Sequence, residues 1–138
     1  LLDYYKSKGA EPVTCNKKDL LVALGPAISG KNYIVDTNVA AAVTLSSQVP
    51  SRIEIKKFRA LSEKLSQHGI IKYGENYDEI FLDIRKAATK QLIDFGLNEY
   101  QISICSLCTY SDASLFHSWR RDKLRRIQWS GIISQVEE

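Results

Sequence analysis

Ile80-Phe81-Leu82-Asp83-Ile84 opens the most regular stretch of this sequence. Its first three apolar residues predict a short buried strand, and Asp83 is of a residue type that commonly caps the first turn of a helix. Apolar residues then recur at helical spacing as far as Phe95, and Gly96 supplies the residue that often follows the last helical turn. The stretch therefore predicts a strand that passes directly into an amphipathic helix.

The residues upstream show the same alternation of strand and helix. Leu20–Leu24 is an apolar run of strand length, and a loop with two glycines and a proline, Gly25–Gly30, follows it. Tyr33–Val35 predicts a second strand. Asp36 then stands where a helix rich in alanine and valine would need its N-cap.

Residues 48–75 are less regular. Phe58, Leu61 and Leu65 fall at helical spacing among lysines and glutamates, which predicts a surface helix. An excursion or insertion is an equally good interpretation of this segment.

The final third of the chain is rich in predicted strands. Residues 101–108 alternate enough to form one, a loop around residues 111–113 follows, and residues 125–133 predict a last strand. Strands and helices alternate, but without the regularity of a doubly wound sheet. We therefore predict a mixed α/β, or α+β, domain in which helices cover a mainly antiparallel sheet.

Size and composition favour a globular domain. The chain has 138 residues, 44% of them hydrophobic, which is enough for one core. No apolar run approaches the roughly 18 residues of a membrane span, and the first residues lack the features of a signal peptide. Three cysteines, an odd number, indicate a reducing compartment. We expect a cytoplasmic location, or a plastid one in a plant.

The first residues suggest a longer parent chain. Leu1–Lys8 is typical of the last turns of a helix, ended by Gly9. Because it begins inside a predicted helix, we expect this chain to have been cut from a longer one. The alternative is a short, self-contained N-terminal helix.

The net charge of +3 is concentrated in residues 117–129, which contain five basic residues and one acid. Arg120 and Arg121 beside Trp119 form a pattern that suits phosphate oxygens or a nucleobase face. If they lay on a strand, the two arginines would point to opposite faces, so at most one would face a given ligand. The alternative is an edge strand with solvated charges and one arginine paired with a carboxylate.

Cys105 and Cys108 have the spacing of a metal or redox pair. A zinc site needs a second pair of ligands, however, and His68, His117 and Cys15 are isolated from one another. A redox pair usually opens a helix, whereas these cysteines lie in or at the end of a predicted strand, where their side chains would point to opposite faces. Structural thiols are therefore favoured. No residue stands in a nucleophile motif either.

The loop Gly25–Gly30 lacks the spacing of a phosphate loop or of a dinucleotide fingerprint. A tight turn is its simplest interpretation. As a shaped loop after a strand, it can also line a pocket through its backbone N–H groups.

Three segments form an ordered set at characteristic spacing. They are Leu24–Gly30 with Tyr33 and Val35, then Phe81–Ile84 with Gln91-Leu92 and Gly96-Leu97, and finally Cys108–Tyr110 with Phe116, Ser118 and Arg120-Arg121. Over about residues 20–48 and 78–133, this set resembles the YfiH-like polyphenol oxidase (laccase-domain) family, now regarded as purine nucleoside phosphorylases. Residues 126–132 look most like its cyanobacterial and plant branch. Trp119 and His117 depart from the family pattern, and residues 49–77 do not match it closely.

The resemblance implies a zinc enzyme that cleaves adenosine or inosine with phosphate to ribose 1-phosphate and free base, with a related adenosine deaminase activity. The family holds zinc with two histidines and a cysteine from His-Gly, Ala-Asp-Cys and His-Ala-Gly-Trp-Arg-Gly elements, and none of these occurs here. Residues 1–138 would then be the C-terminal part of a single laccase domain whose N-terminal part is missing. We expect such a fragment to bind no zinc and to be inactive alone.

The same resemblance gives this part of the enzyme a supporting role. We take Gly25, Ser29, Arg120 and Arg121 as candidate substrate-binding residues, with no catalytic residue and no metal ligand. The implied partners are a purine nucleoside and phosphate, with no membrane, and the oligomeric state is open. One alternative is a non-catalytic module that binds RNA or another polyanion through residues 117–129. Another is a degenerate, inactive gene product that exposes apolar surface.

Overall fold

The structure is a computed structural model that describes residues 16–46, 51–76, 78–131 and 133. Its helices are α1 (Thr37–Leu45), α2 (Arg52–Gln67), α3 (Ile84–Asp94) and α4 (Trp119–Asp122). Its strands are β1 (Val22–Leu24), β2 (Ile34–Val35), β3 (Ile71–Tyr73), β4 (Ile80–Leu82) and β5 (Ile102–Ile104), and short 3-10 turns span Lys17–Asp19, Gly30–Asn32 and Glu99–Gln101. The helix end expected at residues 1–9, like Cys15, lies outside the described residues.

The strands form two sheets. β2, β4 and β3 make an antiparallel sheet with β4 in the centre, and β1 pairs with β5 in parallel. In the larger sheet Leu82 lies opposite Ile71, and Phe81 lies between Ile34 and Lys72. The expected class, helices on a mainly antiparallel sheet, is confirmed.

The core lies against one face of the antiparallel sheet. Ile80 and Leu82 point into it and are 1% and 0% exposed, whereas Phe81 between them points to the other face and is half-buried. Residues from α1, α2, α3 and the neighbouring strands complete the core: Val35, Ala40, Ala41, Phe58, Ile70, Ile71 and Ala87. Because α2 supplies Phe58, the described part of this segment, residues 51–75, contributes to the core and is not an excursion from the fold.

The helix ends follow from local sequence. The Asp36 carboxylate accepts the N–H of Val39 at 2.8 Å and caps α1. The Asp83 carboxylate accepts the N–H groups of Arg85 and Lys86, both at 3.1 Å, and caps α3. Gly96, with φ +105°, lies just past the end of α3. These three predictions are confirmed.

The end of the described chain differs from the prediction. Residues 123–131 form no strand, so the strand expected over residues 125–133 is wrong. The strand expected over residues 101–108 is confined to β5. Arg120 and Arg121 lie on the short helix α4 and not on a strand, because the Ser118 hydroxyl accepts the Arg121 N–H at 3.4 Å and starts a helical turn.

The helices of the described ranges can be compared with the requirements for a membrane-spanning helix. None of them combines the length and the apolar character needed to cross a bilayer.

Candidate functional site

Two loops that are distant in sequence run side by side. Because β1 and β5 are parallel, the chain leaves both strands at the same end of the pair. The Cys105 N–H donates to the Leu24 carbonyl at 2.8 Å, and the Thr109 N–H donates to the Ala27 carbonyl at 3.2 Å. A parallel bridge also joins Ala27 to Cys108. The loop Gly25–Gly30 therefore lies directly against the segment that holds Cys108 and Thr109.

The Cys108 thiol lies among hydrogen-bond donors at this junction. Its Sγ accepts the Ser29 N–H at 3.3 Å and the Asn32 Nδ2 at 3.6 Å, and it lies 3.3 Å from the Ser29 Oγ. Burial would raise the pKa of Cys108, but the hydrogen bonds from Ser29 and Ser111 outweigh burial and lower the pKa from 9.0 to about 6. Asn32 links the cluster together, since its Nδ2 also donates to the Ser29 Oγ at 3.1 Å and to the Ser111 Oγ at 2.9 Å. Cys108 is thus a buried thiol held in a thiolate-stabilising environment.

This thiol environment does not fit the zinc centre that the resemblance implies. Cys108 contacts hydroxyl and amide groups, whereas His68 caps the end of α2 and His117 lines a separate cleft. Within residues 16–46, 51–76 and 78–131, no three His, Cys, Asp or Glu side chains are grouped so that they could hold a metal ion. Cys105 and Cys108 are both free thiols.

The Arg121 guanidinium holds the loop that precedes it. Nη1 donates to the carbonyls of Thr109 and Tyr110 at 3.2 and 2.7 Å, and Nη2 donates to the Phe116 carbonyl at 3.0 Å. Nε and Nη2 donate to the two Asp122 carboxylate oxygens, both at 2.8 Å. A guanidinium has five N–H donors, so these contacts occupy all of them. Arg121 therefore stabilises the loop, and its assignment as a substrate ligand stays a prediction.

Arg120 is placed very differently from its neighbour. Its guanidinium lies 4.9 Å from the centroid of the Tyr33 ring and makes no hydrogen bond or ion pair with a described residue. It lines a cleft of about 350 Å³ together with Asp36, Asp78 and Glu79. The Thr37 hydroxyl and backbone N–H, which both bind the Asp78 carboxylate, hold the pKa of Asp78 below its usual value. An anion at Arg120 would therefore meet nearby carboxylates.

The candidate residues do not converge on one point. Gly25 lines a cleft of about 350 Å³ with Phe116, His117 and Trp129. Ser29 belongs to the Cys108 cluster, whereas Arg120 lines another cleft. The structure brings Ser29 to Cys108, a pairing that the sequence analysis missed because the residues lie 79 positions apart. One indication of this pairing was present in the sequence, since both loops contain motifs of the ordered set that resembles the family.

The basic segment at the end of the described chain has little regular structure. The Lys123 Nζ lies 4.3 Å from the centroid of the Trp119 ring, which pairs one cation with one aromatic side chain. Trp129 is 91% exposed and Ile127 is 75% exposed. Within residues 123–131, neither helix nor strand organises the arginines into a common face.

Comparison with known proteins identifies the family. The model of the family described as multi-copper polyphenol oxidoreductase laccase matches residues 7–133, and the chain belongs to this family. A solved structure, the crystal structure of Bacillus licheniformis hypothetical protein YfiH, is similar with a TM-score of 0.58 and 25% sequence identity. That similarity covers 88% of this chain and 38% of the other. The expected YfiH-like family is confirmed.

Two curated relatives carry a more specific name. The chain is 37% identical over 119 residues to the purine nucleoside phosphorylase slr1573 of Synechocystis sp.. It is 36% identical over 124 residues to the purine nucleoside phosphorylase YlmD of Bacillus subtilis. The alignments cover 85% and 88% of this chain but 44% and 37% of those proteins. The chain thus spans less than half the length of the curated relatives it matches.

Proposed function

We propose that the protein to which this chain belongs is a purine nucleoside phosphorylase. Phosphate displaces the purine from adenosine or inosine, so that ribose 1-phosphate and the free base are formed, and adenosine deamination is a related activity. The observation that carries this proposal is the alignment with two purine nucleoside phosphorylases over 85% and 88% of the chain. The names of these relatives give no support to a polyanion-binding module.

We further propose that residues 1–138 are the C-terminal part of one laccase domain. The chain spans 44% and 37% of its two relatives, which supports this division. The β1–β5 pair supports it too, because parallel sheets are normally covered on both faces. Ile104 of β5 is 48% exposed, and two residues beside the pair, Leu21 just before β1 and Tyr100 in the turn before β5, are 80% and 81% exposed. In the whole domain, further elements cover this pair.

The chain then contributes scaffold and pocket wall to the active site. The Cys108 cluster and the Arg121 contacts fix the shape of the two adjoining loops. Gly25, Ser29, Arg120 and Arg121 remain the candidates for contact with the nucleoside or with phosphate. In this proposal the missing part of the domain supplies the metal ligands, and the 138 residues alone are inactive.

The test compares the whole natural polypeptide with the 138-residue chain. We expect the whole protein to release hypoxanthine from inosine and adenine from adenosine only when phosphate is present, with ribose 1-phosphate as the second product. Sulfate in place of phosphate should give no release of base. The 138-residue chain should give none under either condition.

Two outcomes would contradict the proposal. Oxidation of phenols without any phosphorolysis would favour the activity in the family's description over that in the names of the relatives. Phosphorolysis by the isolated 138 residues at the rate of the whole protein would refute the proposed division of the domain.

A further inference from the structure

A basic pocket of about 650 Å³ lies among the start of α3, the turn after α2 and the Gly30–Asn32 turn. Lys31, Lys72 and Lys86 line it, and they come from three different elements of the fold. Among the described residues that line the pocket, Asp83 alone is acidic. Residues 66–72, a segment for which the sequence suggested no role, form part of the pocket wall.

The three ammonium groups are available to a ligand. None of these lysines makes a side-chain hydrogen bond or ion pair with a described residue. The Asp83 carboxylate, in contrast, is engaged by the first turn of α3, where it accepts the N–H groups of Arg85 and Lys86. The pocket therefore presents an excess of positive charge that the described protein groups do not neutralise.

Two glycines at the pocket allow neighbouring groups to approach the backbone closely. Gly69 has φ +63°, and a Cβ there would lie 2.7 Å from the Lys86 Nζ. A Cβ at Gly30 would lie 3.0 Å from the Asp83 Cβ. The missing side chain at position 69 thus leaves the space in which the Lys86 ammonium lies.

One wall of the pocket is flat and apolar. Phe81 and Lys72 are direct partners across β4 and β3, so their side chains share the face of the sheet that points away from the core. Phe81 is half-buried and lines the pocket. An aromatic face beside an ammonium group suits a ligand that carries both a planar base and a phosphate. The volume is in the range of small-molecule sites.

We propose that this pocket binds a nucleoside monophosphate. The phosphate lies among Lys31, Lys72 and Lys86, and the base lies against Phe81. The pocket adjoins the Cys108 cluster, because Ser29 lines it, but the proposal does not depend on the proposed phosphorolysis.

The test is a calorimetric titration of the whole protein with adenosine 5′-monophosphate. Lys72→Gln and Lys86→Gln should each raise the Kd about tenfold, the size expected for one lost ammonium–phosphate contact. Lys57→Gln is the matched control, because Lys57 is an exposed lysine of α2 outside the pocket and its loss changes the net charge equally. Lys57→Gln should change the Kd less than about twofold.

Three further titrations identify the ligand. Adenosine should bind the two pocket variants and the parent protein equally, because it lacks the phosphate. Inorganic phosphate should bind more weakly than the monophosphate, because it lacks the base. A short RNA oligomer should not bind more tightly than the monophosphate.

The proposal is overturned by absence of saturable binding, by an equal loss in Lys57→Gln, or by tighter binding of phosphate or RNA. None of these results affects the release of base from inosine, so the proposed function is judged separately.

Discussion

The backbone N–H of Ser29 donates a hydrogen bond to the Cys108 Sγ at 3.3 Å and joins two loops that are 79 residues apart. The Ser29 Oγ lies at the same distance from the sulfur. One serine thus supplies two of the groups that stabilise a negative charge on this thiol. These contacts stabilise the thiolate form of Cys108 relative to the thiol.

Stability should therefore depend on pH through Cys108. Its pKa is lowered to about 6 in the folded chain, below its ordinary value of 9.0. Between these values the unfolded thiol holds a proton that the folded one has lost, so the contribution to the free energy of unfolding increases as pH rises. It is complete above the unfolded pKa and is lost as pH falls through the folded one.

The measurement is urea unfolding of the protein and of Cys108→Ser across this pH range. The difference in unfolding free energy between the two should widen from about pH 6 to about pH 9. Ser29→Ala should make this widening of the difference with pH smaller, and Ser106→Ala, at an exposed serine, should leave the widening unchanged. A difference that stays constant with pH would show that the thiol titrates normally.

Replacement of Arg121 should destabilise the protein although the charge is kept. Arg121→Lys retains three donors of five and lacks the planar fork, so several carbonyls of the loop lose their partner. We expect a loss of about 2 kcal/mol in the free energy of unfolding. Arg120→Lys is the natural control, since Arg120 makes no hydrogen bond to the described chain. Arg120→Lys should lower the free energy of unfolding by less than about 0.5 kcal/mol. Equal losses in the two variants would contradict the role of Arg121 in stabilising the loop.

Helix α2 should prove essential to the core. Phe58 is 1% exposed, and Phe58→Ala should cost about 3–5 kcal/mol because it leaves a large cavity. Ile53 lies on the same helix but is 78% exposed, so Ile53→Ala should cost less than about 0.5 kcal/mol. Chemical denaturation measures both. A small loss at Phe58 would mean that α2 does not pack on the sheet.

The parts of the fold that were predictable depend on short-range chemistry. Asp36, Asp83 and Gly96 act within a few residues of their own position, so their roles could be inferred from sequence alone. The start of α2 could also have been predicted from local sequence. Ser51 and Glu54 form a capping box there, although the segment was left open between a surface helix and an insertion.

The parts that were not predictable depend on partners far along the chain. A strand was expected over residues 125–133, but a strand forms only against a neighbouring strand, and no described strand pairs with these residues. The lowered pKa of Cys108 requires Ser29, and the contacts of Arg121 require a loop that turns back on itself. No local pattern encodes these contacts.

The exposed β1–β5 pair leads to the last prediction. Leu21 and Tyr100 are 80% and 81% exposed, and in the proposed whole domain they are covered. The isolated 138 residues should therefore bind a hydrophobic dye, and Leu21→Ser with Tyr100→Ser should reduce the fluorescence by removing the apolar surface. Ile53→Ser removes a comparably exposed apolar side chain from α2 and should have little effect. If this control reduces the signal as much as the pair does, dye binding reports general exposure and not an uncovered sheet.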